Sequence, residues 1–316
     1  MSDRPDVTVI IPAYEASEFI GGSVQACLAQ TGVSLEVIIV DDGSRQPCGE
    51  AVAAAAGGDA RVRFEQLAQN GGPSAARNRA LDLARGEFIA VFDADDSMEP
   101  DRLARIVAAA REHGADIIVD HVVRFHFDRP GEDETLLLSE GMADGPVEID
   151  LLTFVDPASD KAFGAPLGYL KPLFRRSFIE EHGLRYDLSL RNSEDHYFVA
   201  EMLVRGARMM LIPFGGYRYA IREGSLSHRL SPDKGRAVIR AEEKFRADHA
   251  ACLPAAVVAA SDKRLRAWRR MTEFETLVDA LKARDLAGAV SAVTATPGNI
   301  PAHLGRLAAV ALAKAR

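Results

Sequence analysis

Three short apolar runs, each ending abruptly in turn-forming or acidic residues, constrain this chain more than any other feature. Val7 to Ile11 stops at Pro12-Ala13-Tyr14, Leu35 to Val40 at Asp41-Asp42-Gly43-Ser44, and Phe88 to Phe92 at Asp93-Ala94-Asp95-Asp96. Runs of this length rich in β-branched residues read as buried strands. Between the first two, Ser17 to Gln30 carries Phe19, Ile20, Val24, Cys27 and Leu28 at helical spacing. Between the second and third, Glu50 to Ala56 and Ser74 to Ala84 are Ala-rich and suit helices. Strands alternating with helices imply an α/β fold of parallel strands joined by right-handed crossovers. Ligands of such sheets bind outside the carboxyl ends of the strands. Pro12, Asp41, Asp42, Asp93 and Asp95 all fall there.

The acidic ends suggest a chemistry. Extended backbone turns Asp93 and Asp95 to one side, where two like charges repel unless a cation lies between them. Hard carboxylate oxygens suit Mg2+ or Mn2+, which bridge to substrate phosphates; a solvated acidic turn is the plainer reading. Asp41 or Asp42 could accept the N–H of a base. Glu99-Pro100-Asp101 opens a further helix, for which Asp96 reads as an N-cap. Glu194 and Asp195 begin a run to Val204 with Phe198, Val199, Met202 and Leu203 at helical spacing. Carboxylates in a first turn can pair with the helix dipole or serve as a general base.

Taken together, Pro12-Ala13-Tyr14, Val40-Asp41-Asp42-Gly43-Ser44, Gly71-Gly72-Pro73-Ser74-Ala75-Ala76-Arg77-Asn78 and Asp93-Ala94-Asp95-Asp96 resemble family 2 glycosyltransferases of the GT-A fold, from about residue 6 to about residue 103. Tyr169-Leu170-Lys171-Pro172-Leu173-Phe174-Arg175-Arg176, Asn192-Ser193-Glu194-Asp195 and Arg222-Glu223-Gly224-Ser225-Leu226-Ser227-His228 extend the likeness to about residue 230. The resemblance implies a Rossmann-like, mostly parallel central sheet flanked by helices. It implies an inverting, metal-dependent transfer of a hexose from a UDP-sugar to a hydroxyl of a glycan or lipid-linked acceptor, with Mn2+ or Mg2+ as cofactor. By the same resemblance Asp95 holds the metal, and Asp93 reaches the ribose or shares the ion, with Ala94 between them in the nucleotide-sugar site. Asp42, with Asp41 beside it, reads the base. Pro12, Ala13 and Tyr14 form the other wall, Arg77 meets the base or the phosphates, and Lys171 reaches the diphosphate or the acceptor. Asp195 is the general base, with Glu194 next in line, and His228 completes the metal shell or contacts the diphosphate.

Two departures matter. Glu15-Ala16-Ser17 follows Tyr14 where family members often carry Asn or Asp-Glu, which alters the expected ribose contacts. Processive members carry Gln-x-x-Arg-Trp and many spanning helices, and this chain has neither, so one sugar per encounter is expected.

Composition sets limits. The 316 residues suffice for a sizeable core. A net charge of -8 argues against nucleic-acid binding. Cys27, Cys48 and Cys252 are scattered, without metal-ligand spacing, and suit a reducing compartment. The first residues lack the apolar stretch of a signal peptide, and no run is long enough to span a bilayer, so a cytoplasmic location is expected.

The charge is split, however. Ser231 to Arg316 holds 15 Lys and Arg against 9 Asp and Glu. This tail reads as helical over Lys234 to Ala251, Ala255 to Ala283 and His303 to Ala315, with five cations between Lys263 and Arg270 around the only Trp, Trp268. Such a segment can lie on an anionic membrane at the inner face of the plasma membrane or pack as a solvated appendage. The expected domains are therefore 1–230, catalytic, with a nucleotide-sugar half to about residue 100 and an acceptor half beyond it, and 231–316, a basic helical extension. Leu151 to Gly168 reads as a loop near the acceptor, and Asp128 to Pro146 as a surface loop or hairpin end. Two other function classes fit an acidic Rossmann-like sheet, a sugar nucleotidyltransferase and a non-catalytic nucleotide- or glycan-binding module. The first would carry a Gly-rich phosphate loop after its first strand, where Pro12-Ala13-Tyr14 stands instead.

Overall fold

The computed structural model describes residues 4–126, 134–138, 145–221, 231–294 and 296–300. The chain forms two compact units, Met1–Ser225 and Leu226–Arg316.

The first unit opens as the apolar runs require. Strand β1 (Val7–Ala13), helix α1 (Ile20–Leu28), β2 (Leu35–Asp41), α2 (Gly49–Ala56), β3 (Val62–Gln66), α3 (Pro73–Leu83) and β4 (Phe88–Val91) follow in order. Strands β3, β2, β1 and β4 lie side by side, all parallel. β2 is buried along its whole length, as a strand covered on both faces must be. α1 turns Ile20, Val24 and Cys27 to the core, one face of a helix. α3 begins at Pro73, which pre-sets the helical φ, directly after Gly72 at φ +90°.

β3 comes between β2 and β4 in the chain, where the sequence pattern marks only helices. It is an edge strand with partly exposed side chains, Val-Arg-Phe-Glu-Gln, and lacks the apolar density that marks a central strand.

Beyond β4 come β5 (Ser97–Met98), α4 (Arg102–Glu112), β6 (Ile117–His126), β7 (Thr135–Leu136), β8 (Val147–Ile149), α5 (Leu151–Val155), α6 (Pro157–Phe163), a 3-10 turn (Leu167–Tyr169), β9 (Leu173–Arg175), α7 (Arg176–Glu181), α8 (Glu194–Val204) and β10 (Met209–Ile221). β9 runs antiparallel between β4 and β6, and β5, β7 and β8 also pair antiparallel. The sheet is therefore parallel in its first half and mixed in its second, rather than mostly parallel throughout. Leu151 to Gly168 is helical, not a loop. Asp150 and Asp156 each cap a helix start, accepting hydrogen bonds from Thr153 N (2.7 Å) and Ala158 N (3.0 Å), and Pro157 sits at an N-terminus.

β6 and β10 pair in parallel, with an irregularity between Ile212 and Tyr217. A Cβ on Gly216 would stand 2.8 Å from Arg102 Cγ and 2.9 Å from Asp120 Oδ2. Glycine there lets the strand close over a fully buried ion pair, Arg102 Nη2 to Asp120 Oδ1 at 2.7 Å.

The second unit holds α9 (Pro232–Asp248), α10 (Ala255–Lys282) and α11 (Leu286–Thr294), followed by a 3-10 turn at Pro297–Asn299. Ser231 caps α9, and Ser261 donates to Glu242 (2.5 Å) between α9 and α10. Leu277 packs with Ala289 and Ala292 where α11 folds back on α10. Trp268 is half-buried. No described helix is long and apolar enough to cross a membrane. The expected helix at His303 to Ala315 lies outside the described residues.

Candidate active site

The carboxyl ends of β1, β2 and β4 converge as parallel topology demands, and the local sequence shapes each end. Asp41 is fully buried; its carboxylate accepts hydrogen bonds from Ser44 N (2.7 Å) and Cys48 N (3.1 Å). It folds the turn after β2 and presents no surface to a nucleotide, so the expectation of a direct contact from Asp41 is corrected. Asp42 accepts from Gly71 N (2.8 Å) and Gly72 N (2.7 Å) and so clamps the Gly-Gly turn onto the end of β2. Burial raises its pKa, and the two N–H donors only partly oppose that.

Gly43, at φ +68°, makes the clamp feasible, because a Cβ there would stand 2.6 Å from the backbone carbon of Gln69. Ser44 Oγ accepts from Glu15 N (2.8 Å), fixing the segment after β1. Tyr14 is exposed there, Ala13 is buried and Pro12 is half-buried.

The acidic turn after β4 is held from the far side of the sheet. Asp96 does not cap α4. It is buried, and its carboxylate accepts from Tyr217 Oη (2.6 Å) and Ala220 N (2.9 Å) of β10. Tyr217 Oη in turn accepts from Asp93 N (3.2 Å). Burial, with the Asp93 and Asp95 charges adding to it, pushes the Asp96 carboxyl well above the usual carboxylate range. The Asp101 position that begins α4 makes no side-chain cap bond.

Asp93 is neutralised twice. Lys171 Nζ donates to its Oδ2, and Arg77 Nη2 lies 3.6 Å from its Oδ1. Burial alone would raise the Asp93 pKa; the two cations outweigh it and hold the carboxyl below its ordinary value. Lys171 is itself seated by the buried pair beneath it, since Arg102 Nη2 donates to the Lys171 carbonyl (2.9 Å).

Arg77 is buried and does more than face Asp93. Its Nη1 donates to Glu194 Oε1 (2.7 Å), its Nη2 lies 3.3 Å from Asp195 Oδ2, and its guanidinium stands over the Tyr186 ring, 5.4 Å from the centroid. Its Nε is buried with no hydrogen-bond partner among the described residues. Glu194 and Asp195 occupy the first turn of α8, after Ser193 in a left-handed conformation. Burial raises the Asp195 pKa to about 6, with Arg77 opposing and Glu194 reinforcing the shift.

Thus Arg77, Asp93, Lys171, Glu194 and Asp195, drawn from separate stretches of the sequence, form one charged cluster, with Ala94 and Asp95 on the same turn as Asp93. His228 lies outside the described residues. No cluster of three or more metal-ligating side chains occurs among the described residues. Tyr217, the real work of Asp96 and the aromatic platform of Tyr186 were not anticipated. A tyrosine in an apolar strand carries no local signal of what its hydroxyl meets.

The family model for glycosyl transferase family 2 matches residues 8–139. The chain is 38% identical over 314 residues to the succinoglycan biosynthesis protein ExoO of Rhizobium meliloti, covering 96% of this chain and 88% of that protein. It is 34% identical over 224 residues to the succinoglycan biosynthesis protein ExoU of the same organism, covering 70% of this chain and 64% of that one. The chain therefore belongs to glycosyl transferase family 2 and is a glycosyltransferase. Solved structures agree on a GT-A fold. Residues 1–349 of S. aureus TarS, in complex with UDP-GlcNAc, match with a TM-score of 0.61 at 17% identity, over 93% of this chain and 92% of that one. The mannosyltransferase PcManGT from Pyrobaculum calidifontis, in complex with GDP-Man and Mn2+, matches with a TM-score of 0.60 at 20% identity, over 98% and 81%.

Proposed function

We propose that the first unit transfers a hexose from a UDP-sugar to a hydroxyl of a glycan or lipid-linked acceptor, with inversion and one sugar per encounter. The observation that carries this reading is the sharing of Arg77 between Asp93, on the D-x-D turn, and Asp195, on α8, at 3.6 and 3.3 Å. A donor-side acid and a raised-pKa carboxylate thus face one another across a single fixed cation. In a direct displacement one carboxylate deprotonates the incoming hydroxyl and no enzyme-bound sugar forms.

In this reading Asp195 takes the acceptor proton. A pKa near 6 leaves it ionised at neutral pH yet close enough to neutrality to accept a proton effectively. Arg77 and Lys171 supply fixed positive charge beside the departing diphosphate. Tyr14 and the Asp42-clamped turn bound the uracil pocket. Both Asp93 oxygens face cations, and the family resemblance makes Asp95 the carboxylate that would hold Mn2+ or Mg2+. The hard oxygen fits such an ion, with His228 a further candidate ligand. When bound, the metal neutralises charge growing on the leaving diphosphate.

The names of ExoO and ExoU support exopolysaccharide assembly as the setting, and the TarS complex with UDP-GlcNAc and the PcManGT complex with GDP-Man and Mn2+ support a nucleotide-sugar donor and a divalent ion. The basic second unit supports work at an anionic membrane surface.

Calorimetry with UDP, GDP and dTDP, with and without Mn2+, tests the reading. Binding of UDP alone, dependent on metal and lost in Asp95→Ala, is expected. Preference for GDP would overturn the donor assignment, and unchanged UDP binding in Asp95→Ala would overturn the metal site.

A further inference from the structure

Tyr186 lies between α7 and α8 and has no part in the chemistry above beyond meeting Arg77. It is 2% exposed. α3 fixes its backbone twice, since Tyr186 N donates to Asn78 Oδ1 (2.8 Å) and Asn78 Nδ2 donates to the Tyr186 carbonyl (2.9 Å). Asn78 follows Arg77 directly, so one turn of α3 holds both the guanidinium and the tyrosine. The ring stacks on Phe198 of α8, with centroids 4.1 Å apart and planes 8° apart. Phe198 stands three residues after Asp195, a step that puts two side chains on one face of a helix. The ring is thus seated one turn from Asp195, against the guanidinium that also meets that carboxylate.

The hydroxyl needs a reason. Phenylalanine would fill the same place without burying a polar atom, and an unsatisfied hydroxyl in the interior is costly. Tyr186 Oη closes no hydrogen bond of full geometry among the described residues. Asp195 nevertheless acts on it both by charge and as a hydrogen-bond acceptor. Burial first, and then the Asp195 charge, hold the phenol protonated well above its ordinary range, with Arg77 opposing and Glu194 adding. Tyr186 is therefore a donor that keeps its proton. The other charges that face Asp195 are Arg77 on α3, Glu194 in its own turn, Lys171 before β9 and Asp93 after β4. Arg77 is divided among three carboxylates, and Asp195 has a 3.3 Å contact from it.

We propose that Tyr186 is a positioning residue for the transfer, its hydroxyl donating to the Asp195 carboxylate so that this group stays ionised and aimed at the acceptor. The inference rests on Asp195 being the base, and one set of variants separates the two. Full-length wild type, Tyr186→Phe, Asp195→Asn and the double variant are compared. The Asp195 carboxyl is titrated by carbon NMR, its resonance identified by its loss in Asp195→Asn. UDP release from UDP-glucose, with water as acceptor, gives rates, and calorimetry gives UDP affinity. A hydrogen bond to the charged form favours that form, so loss of the hydroxyl should move the Asp195 titration upward, by about half a pH unit or more. UDP release at pH 7 should fall about tenfold, with its acid limb displaced the same way. UDP affinity should stay within about twofold, because the hydroxyl serves the base and not the nucleotide. Added to Asp195→Asn, Tyr186→Phe should cost no further rate, since the group it acts through is gone.

An unmoved titration would overturn the positioning role and leave the base reading standing, whichever UDP-hexose the enzyme prefers. So would an equal fractional loss of rate from Tyr186→Phe in the wild-type and Asp195→Asn backgrounds. Wild-type UDP release by Asp195→Asn would overturn the base reading and this inference with it. Loss of UDP affinity together with a lowered unfolding temperature in Tyr186→Phe would assign the hydroxyl to folding.

Discussion

At the scale of single residues, the site is built from carboxylates in unlike surroundings. Asp93 is held ionised by two cations, Asp96 is pushed toward neutrality by burial, and Asp195 sits between them at about 6. Each is thereby suited to a different task. As a base, Asp195 works only when ionised, so kcat should fall as pH drops through about 6 and level off above it. A pH–rate profile flat from 5 to 8 in the acid limb would contradict that. Asp195→Asn keeps shape and hydrogen bonding but takes no proton. Transfer should fall about 100-fold or more while UDP affinity persists. Collapse of both together would assign Asp195 to folding instead.

At the scale of elements, β10 organises a turn that it does not precede in sequence. Tyr217→Phe removes one hydroxyl, freeing Asp93 N and one oxygen of Asp96. Metal-dependent UDP affinity should weaken several-fold, with the fold retained. An unchanged affinity would show that the turn needs no such brace. Arg102→Met leaves Asp120 charged and buried, which should lower stability by about 3–5 kcal/mol in chemical denaturation. Gly43→Ala forces a side chain into left-handed backbone against the Gln69–Asn70 peptide, and about 2 kcal/mol or more should be lost.

The central strands were legible because their side chains face only protein, so apolar character alone marks them. The same holds for α8, whose first turn was placed correctly from its buried residues. β3, half exposed at an edge, and β9, three residues long, carry no comparable density. Motif positions Asp93, Asp195, Arg77 and Lys171 could be chosen from sequence, but not their pairing. Which cation meets which carboxylate depends on β9 inserting between β4 and β6, a long-range event with no local mark.

At the scale of the whole molecule, opposite charge is segregated between the two units, with the acidic excess in the first. Within that unit Arg77, on α3, reaches both the strand end that carries Asp93 and the helix that carries Asp195. Under the proposed donor contact, a diphosphate arriving at Arg77 would compete for the positive charge that opposes the rise in the Asp195 pKa. Donor and proton then become linked ligands, each strengthening the other by the same factor. Near pH 6, donor binding should draw a fraction of a proton from solution, visible as a calorimetric enthalpy that changes with the ionisation heat of the buffer. Equal enthalpies in all buffers would mean that the two halves titrate independently. With linkage, the enzyme senses its loaded state through its own protonation, and the acceptor meets a stronger base once the donor is in place.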